Sequence, residues 1–233
     1  QKCSAASLAI VDKNIYENPN FKKQLIDAVK SLKVGAGYNY STMVGPIIKS
    51  AESNLQRALT HLDEGEQWLL KPEQLDEAGL QWSPGVKTGV KPGSWSHLNE
   101  WFGPVLGIMV SPDLESSIKW QNATDYGLTA GIQSLDPKEC EYWIENVEAG
   151  NLYVNRGVTG AIVNRQPFGG WRRSSVGATA KAGGPNYVAT LRNWNQMKHF
   201  LPMKEAANKW LKSTGALAID HSGLSVEQNI QRY

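Results

Sequence analysis

The feature that most constrains the fold is the uncharged apolar run GPVLGIMVS at 103–111. An apolar run of this length is typical of a buried strand, as in a parallel sheet. It is too short to cross a bilayer as a helix, which needs roughly 18 residues. We therefore expect this strand to lie inside the protein, with other secondary structure covering it.

Helix and strand patterns alternate around this run. Apolar spacing predicts helices at 18–35, 51–65, 113–123 and 136–150. Strand patterns occur at 5–11, 66–72, 128–135 and 151–155, and loops are predicted over most of 78–97 and 157–188. This order predicts an α/β fold with a mostly parallel central sheet flanked by helices, followed by a C-terminal extension.

Particular residues mark the predicted helix ends. An aspartate opens the helix pattern at 113–123, and Asp136, followed by Pro137, opens the next one. Gly35 and Gly150 are the expected stops of two helices because glycine favours helix ends.

Composition argues against several classes of function. The chain has 24 Lys and Arg against 22 Asp and Glu, with no long basic run, so we expect no nucleic-acid partner. No apolar run is long enough for an integral membrane segment. The four histidines are scattered, so no metal site is expected. Two cysteines, Cys3 and Cys140, suit a reducing compartment, so we expect a cytoplasmic location, with the mitochondrial matrix as the alternative.

The segment QKCSAASLAIV at 1–11 raises a chemical question about Cys3. A thiolate attacks carbonyl carbons well, and its formation is favoured at a helix N-terminus, which a short helix at 4–6 would provide. A lone cysteine is more often a small buried side chain than a nucleophile. The segment alone leaves both interpretations open.

Four further motifs accompany QKCSA. They are TMVGPII, NEWFGPVLGIMV, NATDYGLTAGI and GNLYVNRGVTGAIVNRQPFGGWRRSSVG. With these five motifs in one order, the chain resembles the catalytic half of the aldehyde dehydrogenase superfamily over roughly residues 1–195. The segments SPGVKTGVKPGSWSHLNEWFGPV and NLYVNRGVTGAIVNRQPFGGWRRSSVGATAKAGGPNY look like its pyrroline-5-carboxylate dehydrogenase branch, which may be fused to proline dehydrogenase.

The resemblance implies an NAD-dependent oxidation of glutamate γ-semialdehyde to glutamate, a step of proline catabolism. By similarity, Cys3 is the catalytic nucleophile, which forms a thiohemiacetal and then a thioester. Glu100 would accept hydrogen bonds from the nicotinamide ribose of NAD, and Phe102 would pack against the same end of the cofactor. A carboxylate suits that role because it only accepts hydrogen bonds and can serve two hydroxyls.

The resemblance also implies a binding place for the substrate, a small molecule with an ammonium and a carboxylate far from its aldehyde. The backbone N–H groups of Gly160 and Ala161 would hold the carboxylate, because glycine lets a backbone approach closely. Ser4 would add a hydroxyl, and Phe168 would pack on the aliphatic middle of the substrate.

The resemblance divides the chain into 1–193, a catalytic domain that lacks the N-terminal NAD-binding half, and 194–233, a C-terminal extension or oligomerisation segment. The expected partners are that N-terminal half of the same polypeptide and further copies in a homo-oligomer. The fragment alone is expected to be inactive. Alternatives are another semialdehyde dehydrogenase and a non-catalytic aldehyde dehydrogenase-like interaction domain. A cysteine hydrolase is disfavoured, since the five motifs contain no histidine.

Overall fold

The apolar run forms the strand β4 (Val105–Ser111) inside a four-stranded sheet. β4 pairs in parallel with β1 (Leu8–Asp12) on one side and with β3 (Gly85–Thr88) on the other. β2 (Gln67–Leu70) completes the sheet and runs antiparallel to β3. The prediction of a buried parallel strand is confirmed, because Ile108 and Met109 of β4 are fully buried.

The remaining strands form two pairs outside this sheet. The computed structural model describes residues 1–162, 165–175 and 180–192. In it, β5 (Tyr126–Gly127) runs antiparallel to β8 (Trp171–Arg172), and β6 (Thr129–Ile132) runs parallel to β7 (Asn151–Val154). Three of the five strand pairings in the described residues are therefore parallel.

Helices connect these strands, and the predicted α/β class is confirmed. The helices are α1 (Lys13–Glu17), α2 (Pro19–Lys30), α3 (Ser53–Thr60), α4 (Trp95–Leu98), α5 (Leu114–Gln121) and α6 (Pro137–Asn146). A short 3-10 helix follows at Val188–Leu191. Residues Gln1–Leu191 form one compact unit. The extension predicted at 194–233 lies outside the described residues, so that division stays a prediction.

Aspartate side chains begin two helices as predicted. Asp113 accepts a hydrogen bond from the Ser116 N–H at 2.7 Å, and Asp136 accepts one from the Lys138 N–H at 2.8 Å. The Ser116 N–H holds the pKa of the Asp113 carboxyl below its ordinary value. Both caps satisfy N–H groups that the first helical turn leaves without a partner.

The predicted helix ends were wrong because tertiary contacts stop the helices first. α2 ends at Lys30 rather than near Gly35, since Gly35 donates its N–H to the Val44 carbonyl at 3.1 Å. α3 is likewise shorter than the predicted 51–65. α4 was not predicted, because a helix of four residues carries no apolar period.

α6 also ends early, at Asn146, because its predicted stop joins a strand contact. Gly150 donates its N–H to the Gly127 carbonyl at 2.9 Å, at the entrance to β7. A Cβ atom on Gly150 would lie 1.9 Å from the Gly169 carbonyl oxygen. Gly150 is therefore required for the close approach of two backbone segments.

Replacing Gly150 with alanine is expected to lower the free energy of unfolding by about 1–3 kcal/mol, the usual cost of overpacking. Gly157→Ala is the matched control, since apart from its chain neighbours no described residue lies within 4 Å of the position that its new methyl group would take, and its effect should stay within about 0.5 kcal/mol. Urea unfolding of both variants measures the difference. Equal stability of the two variants would contradict the steric argument.

Two apolar clusters form the core around the sheet and the helices. The first contains Ile47, Leu55, Leu59, Trp82 and Val105, and the second contains Ile118, Ala130 and Trp143. Among the described residues, no helix has the length and apolarity that crossing a membrane requires. The same part of the chain brings no three His, Cys, Asp or Glu side chains together as metal ligands.

Candidate active site

Cys3 lies on a tight turn that leads into β1. The Ala5 N–H donates to the Lys2 carbonyl at 3.0 Å and closes the turn. The short helix considered at 4–6 is therefore wrong, because a turn occupies its place. Cys3 is exposed, whereas Ser4 is 3 % exposed. The turn thus faces the thiol outward and places Ser4 inside.

The buried side of this turn is held by a distant strand. The Ser4 carbonyl accepts a hydrogen bond from the Thr129 hydroxyl at 3.0 Å, at the start of β6. Because Ser4 is buried, its hydroxyl is covered in this chain, and its predicted contact with substrate stays a prediction. The Ser4 carbonyl, through its hydrogen bond with Thr129, fixes the position of the Cys3 turn.

Glu100 and Phe102 project from a segment anchored by the residue between them. Trp101 is 1 % exposed, and its indole N–H donates to the Val105 carbonyl at 3.1 Å. Phe102 has a φ of 53°, in the left-handed region, and the residue is 42 % exposed. Glu100 is exposed as well. The buried tryptophan therefore presents a carboxylate and an aromatic ring on its two sides.

The side chain of Gln1 joins this segment to the Cys3 turn. Its amide donates to the Phe102 carbonyl at 2.9 Å and accepts from the Ile48 N–H at 2.7 Å. Glu100 and Phe102 border one shallow depression together with Gln1, Lys2, Ala5, Ala6, Ser7 and Gly103. The structure thus brings the predicted cofactor residues next to the turn that carries the predicted nucleophile.

Phe168 is positioned by a buried asparagine that sequence reasoning missed. The Asn151 side chain, at the start of β7, donates to the Pro167 carbonyl at 2.8 Å and accepts from the Gly169 N–H at 3.0 Å. It therefore holds the backbone on both sides of Phe168. The available signal was a polar residue at the start of an apolar strand, because a buried amide needs hydrogen-bond partners.

Asn151 also relates Phe168 to the Cys3 turn. Asn151 is the register partner of Thr129 across the β6–β7 pair, and Thr129 bonds the Ser4 carbonyl. The side chains of Asn151 and Thr129, which face each other at the start of the β6–β7 pair, thus hold the backbone around Phe168 and the turn at Cys3. Nearby, the Lys181 amine donates to the Gly150 carbonyl, and partial burial lowers the pKa of Lys181.

Gly160 and Ala161 lie in the loop that precedes Phe168. Gly160 has a φ of 96°, a left-handed conformation that favours glycine, and both residues are half-buried. Among the described residues, no backbone hydrogen bond joins either of them to Cys3 or Phe168. Their predicted role in binding a carboxylate stays a prediction. The Asn155 side chain, just after β7, accepts a hydrogen bond from the Ser134 N–H at 2.9 Å and donates one to the Ser134 carbonyl at 2.8 Å.

The two cysteines differ in accessibility, and this difference predicts their reactivity. Cys3 is exposed, whereas Cys140 is half-buried with its sulfur 3.7 Å from the Ser134 carbonyl. Iodoacetamide is expected to alkylate Cys3 at least about tenfold faster at neutral pH, since reaction follows access and thiolate character. Mass spectrometry of the digested chain measures both rates. Faster labelling of Cys140 would show that the Cys3 turn is closed in solution.

The structure is an α/β domain with an exposed cysteine on the turn that leads into β1. The model of the aldehyde dehydrogenase family matches residues 1–199. The chain therefore belongs to the aldehyde dehydrogenase family.

Named relatives give a narrower comparison. The chain is 34 % identical over 189 residues to 1-pyrroline-5-carboxylate dehydrogenase of Bacillus subtilis, a match that covers 81 % of this chain and 36 % of that protein. A structure of proline utilization A from Corynebacterium freiburgense is 52 % identical, with a TM-score of 0.82, over 93 % of this chain and 23 % of that one. A Thermus 1-pyrroline-5-carboxylate dehydrogenase with bound NAD is 32 % identical, with a TM-score of 0.70, over 81 % of this chain and 36 % of that one.

The comparisons also show how much of its relatives' length the chain covers. It spans 36 % of the length of the curated 1-pyrroline-5-carboxylate dehydrogenases that it matches. The greater part of such an enzyme is therefore not represented in these 233 residues.

Proposed function

We propose that this chain is the catalytic part of an NAD-dependent dehydrogenase that oxidises glutamate γ-semialdehyde to glutamate in proline catabolism. Support comes from family membership and from relatives that are named 1-pyrroline-5-carboxylate dehydrogenase and proline utilization A. The observation that carries the proposal is the depression where the Cys3 turn meets Glu100 and Phe102.

Cys3 is the proposed nucleophile. Its sulfur adds to the aldehyde carbon and forms a thiohemiacetal, and after oxidation the same sulfur holds the acyl group as a thioester. Water then releases the carboxylic acid and returns the thiol. The backbone N–H of Cys3 is a candidate donor to the carbonyl oxygen as negative charge develops there. Exposure of Cys3 on a turn suits attack on a molecule that arrives from outside.

Glu100 and Phe102 fit the nicotinamide end of NAD. The carboxylate of Glu100 can accept hydrogen bonds from two ribose hydroxyls, and the exposed ring of Phe102 offers an apolar surface beside it. NAD, when bound, supplies the hydride acceptor. The anchored Trp101 between them supports this role, because it holds the backbone that carries both side chains.

The substrate is proposed to lie between the Cys3 turn and the Phe168 loop. Phe168 would pack on its aliphatic carbons, while the N–H groups of Gly160 and Ala161 would receive its carboxylate. The left-handed backbone at Gly160 supports this role, because successive N–H groups around such a residue can converge on an anion. Ser4 would reach the substrate with its hydroxyl only if its present covering opened.

The complete enzyme is proposed to need the remaining length that its relatives have. An N-terminal half of the same polypeptide would bind most of the NAD, so this chain alone should turn over little or no substrate. Residues 194–233 would form a C-terminal extension or a contact in a homo-oligomer. A cytoplasmic location is proposed on the support of bacterial relatives and two free cysteines.

A substrate panel tests the proposal in the enzyme that joins this chain to its NAD-binding half. Glutamate γ-semialdehyde is expected to exceed glutarate semialdehyde in kcat/KM by about tenfold or more, since the second compound lacks only the α-amino group. The appearance of NADH, followed by its absorbance, measures both rates. Preference for glutarate semialdehyde would favour the alternative of another semialdehyde dehydrogenase, and no oxidation of any aldehyde would favour a non-catalytic domain.

A further inference from the structure

A buried ion pair contacts Trp101, the residue between the two candidate cofactor residues, and the proposed mechanism does not use it. The Lys87 ammonium is 3.1 Å from a carboxylate oxygen of Glu66, and both side chains are 1 % exposed. Lys87 comes from β3, next to the central strand, where an apolar residue would pack more readily. A charge in this place therefore calls for a physical explanation.

The ion pair is part of a larger polar network. The Lys87 ammonium also donates to the Ser96 hydroxyl at 2.7 Å, and the Asp63 N–H donates to the same Glu66 oxygen at 3.0 Å. The other carboxylate oxygen of Glu66 is buried and has no hydrogen-bond partner among the described residues. The charge of Glu66 is therefore balanced mainly by Lys87.

The network contacts Trp101 directly. The Lys87 nitrogen is 5.0 Å from the centre of the Trp101 ring, within the range of a cation–π interaction. Trp101 also stacks on Trp95, with ring centres 6.0 Å apart and planes 27° apart. These contacts and the indole hydrogen bond to Val105 fix the orientation of the ring as well as its depth.

We propose that Lys87, held by Glu66 and Ser96, is a positioning residue for Glu100 and Phe102, through its contact with the Trp101 ring; the catalytic part of this inference rests on the proposed function. A buried ion pair is seldom more stable than a well-packed apolar pair of similar volume. Its hydrogen bonds and its cation–π contact are directional, however, and an apolar pair would not select one ring orientation. Turning Trp101 would move the backbone that carries both flanking side chains.

The test uses a double variant that removes both buried charges, Glu66→Gln with Lys87→Met, so that neither partner is left buried and unpaired. The control is Glu64→Gln with Lys91→Met, because Glu64 and Lys91 form an exposed ion pair at 3.7 Å between neighbouring segments. Thermal unfolding of the 233-residue chain checks that both double variants fold.

The first readout is the hydrogen exchange of the Trp101 indole N–H, followed by NMR and assigned with Trp101→Phe. We expect about tenfold faster exchange in the buried double variant and no change in the control, since local opening sets the rate of exchange. This readout needs neither cofactor nor substrate. An unchanged exchange rate would overturn the inference, whatever the chain catalyses.

The second readout is steady-state kinetics in the enzyme that joins this chain to its NAD-binding half. The buried double variant is expected to raise KM for NAD about tenfold, with KM for the aldehyde and the alkylation rate of Cys3 unchanged. Equal changes in every parameter would overturn the inference in favour of a general structural role.

The variant Glu100→Gln distinguishes a failure of the positioning role of Lys87 from a failure of the proposed cofactor role of Glu100. If Glu100→Gln raises KM for NAD and the buried double variant does not, the positioning role is wrong and the proposed cofactor site stands. If exchange at Trp101 accelerates but Glu100→Gln leaves KM for NAD unchanged, Lys87 still holds the segment, and the proposed role of Glu100 fails.

Discussion

Replacing Cys3 with serine is expected to lower kcat of the complete enzyme by at least about 1,000-fold, because a serine hydroxyl without an adjacent base is a far weaker nucleophile than a thiolate. The substitution removes one sulfur from an exposed turn, so the fold should be unaffected. Single-turnover NADH formation and thermal unfolding of the same preparation separate loss of chemistry from loss of structure.

Cys140→Ser provides the matched control for this experiment. Cys140 lies on α6 with its sulfur near the Ser134 carbonyl, away from the motifs that form the depression. Its kcat should stay within about twofold of the wild-type value, since a surface-helix substitution of this kind seldom alters a distant site. Activity that survives Cys3→Ser but is lost with Cys140→Ser would show that Cys140, rather than Cys3, is the nucleophile.

The single substitution Lys87→Met is expected to lower the free energy of unfolding by about 3–5 kcal/mol, because it leaves the Glu66 carboxylate buried without its counter-charge. Both side chains of this pair are 1 % exposed, so water cannot replace the lost ammonium. Urea unfolding, followed by circular dichroism, measures the loss.

Two further variants test whether the lost stability comes from the unpaired buried charge. Adding Glu66→Gln to Lys87→Met should restore most of the lost stability, since the buried charge is then gone. Lys91→Met breaks only the exposed pair with Glu64 and should cost less than about 1 kcal/mol. A loss with Lys87→Met no larger than the loss with Lys91→Met would show that water enters the Lys87 site.

The sequence was informative where a local pattern decides the structure. The uncharged run at 103–111 has one favourable environment, a buried strand, and β4 occupies it. Asp113 and Asp136 were recognisable as helix caps because a short side-chain acceptor satisfies N–H groups two or three residues ahead. Of the residues to which the motifs pointed, Glu100 and Phe102 line one depression, next to the turn that carries Cys3.

The rest depends on contacts between residues far apart in the chain. α2 and α6 end where the backbone that follows them hydrogen-bonds to another segment of the chain. The spacing of apolar residues within a helix carries no information about such a contact. Lys87 and Glu66 are 21 residues apart, and a charged residue in isolation predicts exposure, so their burial could not be predicted. Asn151 and Thr129 acquire their roles only through the register of β6 with β7.

The hydrogen bond from Thr129 to the Ser4 carbonyl can form only late during synthesis of the chain, because the two residues are 125 positions apart. At about 5–20 residues per second, a ribosome needs roughly 6–25 s to add that length of chain. During this interval the Cys3 turn lacks its hydrogen bond to Thr129. The contact that anchors the turn of the proposed nucleophile is thus made late, after all four strands of the main sheet have been synthesised.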